Sequence, residues 1–156
     1  MDQYNSAMEQ ELPAVTPSAK RRLLWHGMFL FFLGLVTGFV GGKFANPRMG
    51  LAAHLEGVMN GTFLLALGAI WMEVRLSSRL KAAAFWCALY GTYANWGITS
   101  LAAIFGTAAM SPITGAGHSG LQWQEGLVTF GFMSVGLTIV ACAILVLWGL
   151  RRNAGS

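Results

Sequence analysis

Three short runs in this 156-residue chain hold groups able to do chemistry. AHLEGVMNG, residues 53 to 61, carries His54, Glu56 and Asn60; YGTYANW, residues 90 to 96, carries Tyr90, Tyr93 and Asn95; and His118 in GAGHSG precedes Trp123 and Glu125. An imidazole can ligate a metal or move a proton, a carboxylate can serve as acid or base, and an amide or phenol can hold a reacting oxygen. On a helical wheel, Gly57 and Gly61 fall at about 300° and 340° from His54, while Glu56 and Asn60 fall near 200° and 240°. A histidine beside two glycines offers a flat macrocycle an axial nitrogen and room for its ring. The alternative is a small-xxx-small packing seam in which His54 bonds a neighbouring carbonyl. Because the ligand-like face and the polar face of this segment diverge, sites between neighbouring subunits are expected. Trp86, Tyr90, Tyr93 and Gly97 share a sector of about 60°, fit either for stacking a flat aromatic or for packing, with Asn95 about 140° from Tyr90.

The elements that position these groups follow from the distribution of charge. Hydrophobic residues make up 55% of the chain and charged ones 10%, against roughly 25% charged in an ordinary soluble domain. This excludes a disordered chain, a collagen-like repeat and most soluble enzymes. Residues 23–42, 82–124 and 126–150 are uncharged, and 49–72 contain only Glu56. Since about 20 apolar residues cross the hydrocarbon as a helix, four spans are expected, near 23–42, 50–74, 82–108 and 125–149. The expected fold is all-α: a four-helix integral membrane bundle in one domain (23–150), between a flexible tail (1–22) and a short C-terminal tail (151–156). Basic residues flank the span ends unequally. Lys20, Arg21, Arg22, Arg75, Arg79, Lys81, Arg151 and Arg152 share one side and only Lys43 and Arg48 the other, which predicts both termini in the cytoplasm. This asymmetry explains the net charge of +4, and no nucleic-acid partner is expected.

Depth then suggests a common site. At the helical rise, His54 lies roughly 6 Å and Asn60 about 15 Å from the outer end, and Tyr93 and Asn95 about 16 to 20 Å from the cytoplasmic end. With Glu125, His118 and Trp123 at the outer end, these groups could line one outer cavity; His26, at the cytoplasmic start of the first span, is expected on the wrong side to join it. His118 alone could supply a second axial ligand near His54, its alternative being a solvated loop histidine. One strong ligand with an open sixth position favours Lewis-acid chemistry over electron transfer. Glu125 reads either as an acid–base group or as a cap that pairs with a neighbouring loop. Cys87 and Cys142 form no CxxC pair and suit buried apolar sites. P-loop, HExxH and nucleophile-elbow patterns are absent.

Four longer runs, WHGMFLFFLGLVTGF, NPRMGLAAHLEGVMNGTF (46–63), AFWCALYGTYANW (84–96) and GHSGLQWQEGLV (117–128), resemble the hydroxylaminobenzene mutases of bacterial nitroarene degradation across residues 20 to 150. That resemblance implies a multi-pass protein of the bacterial inner membrane that converts a hydroxylaminoarene into an ortho-aminophenol by intramolecular hydroxyl transfer. More distantly, AHxxxxxNG at Ala53, His54, Asn60 and Gly61 is similar to the styrene oxide isomerases. This second likeness implies ferric haem b on His54 between subunits of a homotrimer, with Asn60 and a tyrosine, Tyr93 or Tyr90, beside the substrate oxygen. Glu56 and the third-span sequence depart from the isomerase pattern, which bears on substrate more than on cofactor. Together the resemblances imply haem iron acting as Lewis acid on the N–OH oxygen, Tyr90, Tyr93 and Trp86 facing the arene, and Glu56 taking the ring proton. Rival readings are an epoxide isomerase and a non-enzymatic membrane haem protein or small exporter.

Overall fold

A computed structural model describes residues 18–151. The expected tails therefore lie outside the described residues, except for 18–22 and Arg151, and so does Arg152. Four helices follow in order: α1 (Ala19–Val40), α2 (Pro47–Ile70), α3 (Ser78–Phe105) and α4 (Gln122–Arg151), with a 3-10 turn at Gly41–Lys43 between the first two. There is no strand among the described residues. Each helix starts three or four residues before the span expected from apolar content, because the capping residues are polar. Ser18 accepts the Arg21 N–H, and Asn46 accepts the Met49 N–H at 3.2 Å with Pro47 opening α2, the polar-cap and early-proline pattern of helix starts. Gly106, at φ 70°, ends α3 in the left-handed region that favours glycine.

The stretches Ala19–Lys43, Pro47–Ile70 and Gln122–Arg151 are long and apolar enough to cross a membrane. The 28-residue α3 is long enough too, but Tyr90, Thr92, Tyr93, Asn95, Thr99 and Ser100 dilute its apolar content. The four expected spans thus become three strongly apolar helices and a more polar α3 packed on α2 and α4. The four helices do not pack equally. α1, α2 and α3 pack together, whereas α4 lies along α3 without comparable contact with α1 or α2. Much of α4 is exposed as a result, Leu137 at 75% and Phe130 at 74%.

Glycine sets the distance between α1 and α2. A Cβ at Gly57 would lie 2.4 Å from the Gly34 Cα, one at Gly61 2.5 Å from the Phe31 nitrogen, and one at Gly50 2.4 Å from the Gly41 oxygen. The two backbones therefore touch, as small residues permit between helices in lipid. Between α3 and α4 the fit is knob on backbone, Ile139 over Gly91 and Ile98 over Gly131. A core of Leu23, Leu30, Leu64, Trp71, Phe85 and Cys142 joins all four helices.

Hydrogen bonds fix the ends. The Arg75 N–H donates to the Gly149 carbonyl at 3.0 Å, and Ser18, Trp71 and Ser78 line one cleft, so the start of α1, the α2–α3 linker and the end of α4 meet. At the other end, Asn46 donates its backbone N–H to the Ala103 carbonyl (3.0 Å) and its side-chain amide to Thr114 (2.8 Å).

Candidate functional site

His54 projects from α2 toward α1. A Cβ at Gly38 would lie 2.8 Å from its Nδ1, and that nitrogen is 2.8 Å from the Gly34 carbonyl oxygen. A carbonyl only accepts, so Nδ1 carries a hydrogen, and in the neutral imidazole Nε2 is the nitrogen with the free lone pair. Nε2 makes no hydrogen bond among the described residues. His54 lines a cavity of about 560 Å³ with Leu35, Gly38, Gly41, Gly42, Pro47 and Gly50 among its walls, within the roughly 300–1,000 Å³ of small-molecule sites. Its glycine-rich wall differs from the one expected. Gly57 and Gly61 do not offer an open groove beside the imidazole, because the backbone of α1 fills that space at Gly34 and Phe31. The open glycines are on the turn between α1 and α2, where a Cβ at Gly42 would meet nothing within 4 Å.

Glu56 and Asn60 leave α2 on its other side, as the wheel predicts, and meet α3. The Asn60 amide donates to Glu56 Oε2 at 3.1 Å, and the Asn95 amide donates to the same oxygen. One carboxylate oxygen thus receives donors from both helices. All three residues are partly buried, and for polar groups in apolar surroundings such mutual satisfaction is close to obligatory.

The aromatic groups do not share one surface. The Tyr90 hydroxyl is 2.8 Å from Ser134 Oγ on α4, whereas the Tyr93 hydroxyl lies 3.1 Å from His26 Nδ1 and donates to the His26 carbonyl at 3.3 Å. The expectation that His26 stands apart from these groups is corrected here. Counting rise along the axis omits the lean of a helical side chain toward its own N-terminus, which carries the Tyr93 ring back to the level of His26. Trp86 is more than half exposed beside Arg22.

Glu125 is held by backbone. Oε1 accepts from Ala108 (2.9 Å) and Gly120 (3.0 Å), and Oε2 from Ala109 (2.9 Å) and again Ala108 (3.2 Å). Both oxygens tie the loop between α3 and α4 to the first turn of α4, which realises the capping alternative. His118 packs near Gly106, its buried Nδ1 without a partner. The single outer cavity expected for His54, Asn60, Tyr93, Asn95, His118 and Glu125 is therefore not formed within one chain. These residues occupy four separate settings: the His54 cavity, the Glu56–Asn60–Asn95 cluster, the Tyr93–His26 pair and the Glu125 loop anchor. No group of three or more His, Cys, Asp or Glu gathers to hold a bare metal ion among the described residues.

The packing-seam alternative, with His54 bonded to a neighbouring carbonyl, is realised at Gly34; sequence reading missed the His26–Tyr93 pair and Trp96, whose indole N–H donates to Thr37 Oγ1 at 3.1 Å. Each joins α1 to another helix. The available signal was the glycine spacing of α1, at Gly27, Gly34, Gly38 and Gly41, which marks the face that approaches α2 most closely.

Three helices long and apolar enough to cross a membrane, with a pocket beside His54 and a polar cluster one face away, are the features of a membrane protein. The model of the family described as styrene oxide isomerase matches residues 19–151. Hydroxylaminobenzene mutase HabB of Ectopseudomonas oleovorans is 48% identical over 145 residues, 92% of this chain and 88% of that protein. Hydroxylaminobenzene mutase HabA of the same organism is 41% identical over 127 residues, 81% of this chain and 94% of that one. No solved structure matches. The chain belongs to the styrene oxide isomerase family, alongside these mutases, and is an enzyme of the isomerase class, a mutase. The readings as a haem protein without activity or an exporter fall with that assignment.

Proposed function

We propose that this chain converts a hydroxylaminoarene into an ortho-aminophenol by moving the hydroxyl oxygen from nitrogen to the adjacent ring carbon, in a bacterial inner membrane with both termini cytoplasmic. The observation that carries the reading is the 48% identity to a hydroxylaminobenzene mutase over 92% of the chain. The reaction is redox-neutral overall: the N–O bond breaks, a C–O bond forms, the ortho carbon loses a proton and nitrogen gains one.

Haem b fits the residues present. With Nδ1 bonded to Gly34, His54 would hold the iron through Nε2, and the glycine-rich wall would leave room beside it; Gly57 and Gly61, packed on α1, would support His54 from behind. When bound, ferric haem supplies a Lewis acid for the departing oxygen. Asn60 holds that oxygen near the ortho carbon, oriented by its own bond to Glu56. Glu56, shared with Asn95, takes the ring proton as aromaticity returns. Within one chain the three rings of Tyr90, Tyr93 and Trp86 diverge, so Tyr93 or Tyr90 alone faces the arene as positive charge spreads over it, and exclusion of water keeps solvent oxygen from trapping it. Because His54 and Asn60 leave α2 on different sides, both act on one substrate only if a neighbouring copy supplies one of them. We therefore place the site between subunits of a homo-oligomer, a trimer by family resemblance.

The purified protein tests this directly. Hydroxylaminobenzene in ¹⁸O-labelled water should give 2-aminophenol without label; substantial incorporation overturns the intramolecular transfer. A Soret band lost in His54→Ala supports haem on that residue, whereas active protein without such a band removes haem from the proposal. The family description favours a second reading, isomerisation of an aryl epoxide to an aldehyde. Comparing kcat/KM for styrene oxide and hydroxylaminobenzene decides between the two.

A further inference from the structure

We propose that the cleft between the start of α1 and the start of α3 binds the phosphate headgroup of an anionic phospholipid, independently of where the rearrangement occurs. The cleft holds about 470 Å³ at the end of the molecule where most basic residues gather, and Lys20, Arg22 and Lys81 line it with no Asp or Glu among the described residues of its lining. Two of these cations are seated on a row of aromatic rings. Trp71 and Phe85 meet edge to face at 6.2 Å between centroids, and Phe85 and Trp86 at 5.4 Å. The Arg22 guanidinium lies 4.8 Å from the Phe85 centroid and 5.7 Å from that of Trp86, and Lys81 Nζ lies 5.5 Å from that of Trp71.

Trp71 and Phe85 are almost fully buried, so this platform is fixed, and cation–π contact holds both charges at the mouth of the cleft. Ser78, in the first turn of α3, also lines it, and the α3 cap residue Ser77 makes no side-chain capping bond. The first N–H groups of α3 are therefore available to an anion as well. Three cations, a helix start and no carboxylate fit a phosphate group. Met72, in the turn after α2, and Trp86, on α3, continue from the cations as exposed apolar surface, 67% and 59%. A soluble phosphate has no use for that surface, while an acyl chain does.

The test uses the full chain in neutral detergent, offered equal amounts of dioleoyl phosphatidylglycerol and dioleoyl phosphatidylcholine and read by native mass spectrometry. Wild type is expected to retain phosphatidylglycerol in preference. Removing a basic residue near an anionic lipid surface should cost roughly fivefold in affinity, so Arg22→Gln with Lys81→Gln should cost about thirtyfold. Arg75→Gln with Arg79→Gln, at the same end but outside the cleft, should leave retention unchanged. Equal retention of the two lipids by wild type, equal loss in both double variants, or displacement by inorganic phosphate as readily as by free phosphatidylglycerol overturns the proposal. Circular dichroism monitors folding. Should the glutamine pair fail to fold, the charge-preserving pair Arg22→Lys with Lys81→Arg decides: the preference must survive there, and its loss also overturns the site.

Discussion

Substituting alanine for Gly57 and for Gly38 separates two uses of glycine on the same helix pair. At Gly57 the added Cβ would stand 2.4 Å from the Gly34 Cα and 2.9 Å from the Gly34 nitrogen. That is a full ångström short of the 3.4 Å at which ordinary contact begins, and the opposing atoms are backbone that cannot rotate away. α1 and α2 must part, which weakens contacts along their whole shared length. The cost should reach or exceed the upper end of the 1–3 kcal/mol typical of overpacking, about 3 kcal/mol, or a fall in Tm of about 6–12 °C by the scaling for domains of this size. At Gly38 the nearest atoms are His54 Nδ1 at 2.8 Å and Cε1 at 3.2 Å, the end of a side chain that can swing aside. Swinging breaks the bond to the Gly34 carbonyl, a net loss of about 1 kcal/mol, and moves Nε2. Gly38→Ala should therefore stay within about 3–4 °C of wild type in Tm while losing at least tenfold in mutase kcat, and Gly136→Ala on α4, away from the His54 cavity and with nothing within 4 Å, should change neither. Differential scanning fluorimetry in detergent and 2-aminophenol formation on the same preparations supply both readouts. A Gly57→Ala protein as stable as wild type would refute the direct backbone packing and return that face of α2 to a bound macrocycle.

Glu125→Gln converts one acceptor oxygen into a donor facing the N–H groups of Ala108, Ala109 and Gly120, and should cost about 1.5–3 kcal/mol. It should also speed proteolysis between residues 106 and 121, with kcat preserved below the melting transition; abolished turnover in folded protein would make Glu125 catalytic. Tyr93→Phe removes the hydroxyl that joins α3 to His26 and should lower stability by about 1 kcal/mol. A rate loss well beyond that, in protein with wild-type Tm, places the hydroxyl on the substrate, whereas parallel small losses assign it to packing.

The faces of α2 were legible because 3.6-residue periodicity is a property of one helix. His54 and Glu56 had to diverge whatever surrounded them, and they do. What each face meets depends on another segment, and there the outcome turned on details that a wheel does not carry. Gly57 and Gly61 are equally good as a floor for a ring or as a seat for a helix, and the choice was made by α1, whose Gly34 lets its backbone come close enough to fill the space itself. The same approach brings the Gly34 carbonyl within 2.8 Å of His54, so the close packing that removed the expected groove also fixes the tautomer that leaves Nε2 free. Depth along the axis failed for Tyr93 because it places Cα atoms, while chemistry occurs at a hydroxyl several ångströms nearer the helix start. α3 is the least apolar of the four expected spans, for an informative reason. The residues that reduce its apolarity are those that bond to α1, α2 and α4 through Tyr93, Asn95 and Tyr90. In lipid such groups must find partners, so the polarity that makes α3 a poor isolated span is what binds it between the others and holds Asn95 against Glu56.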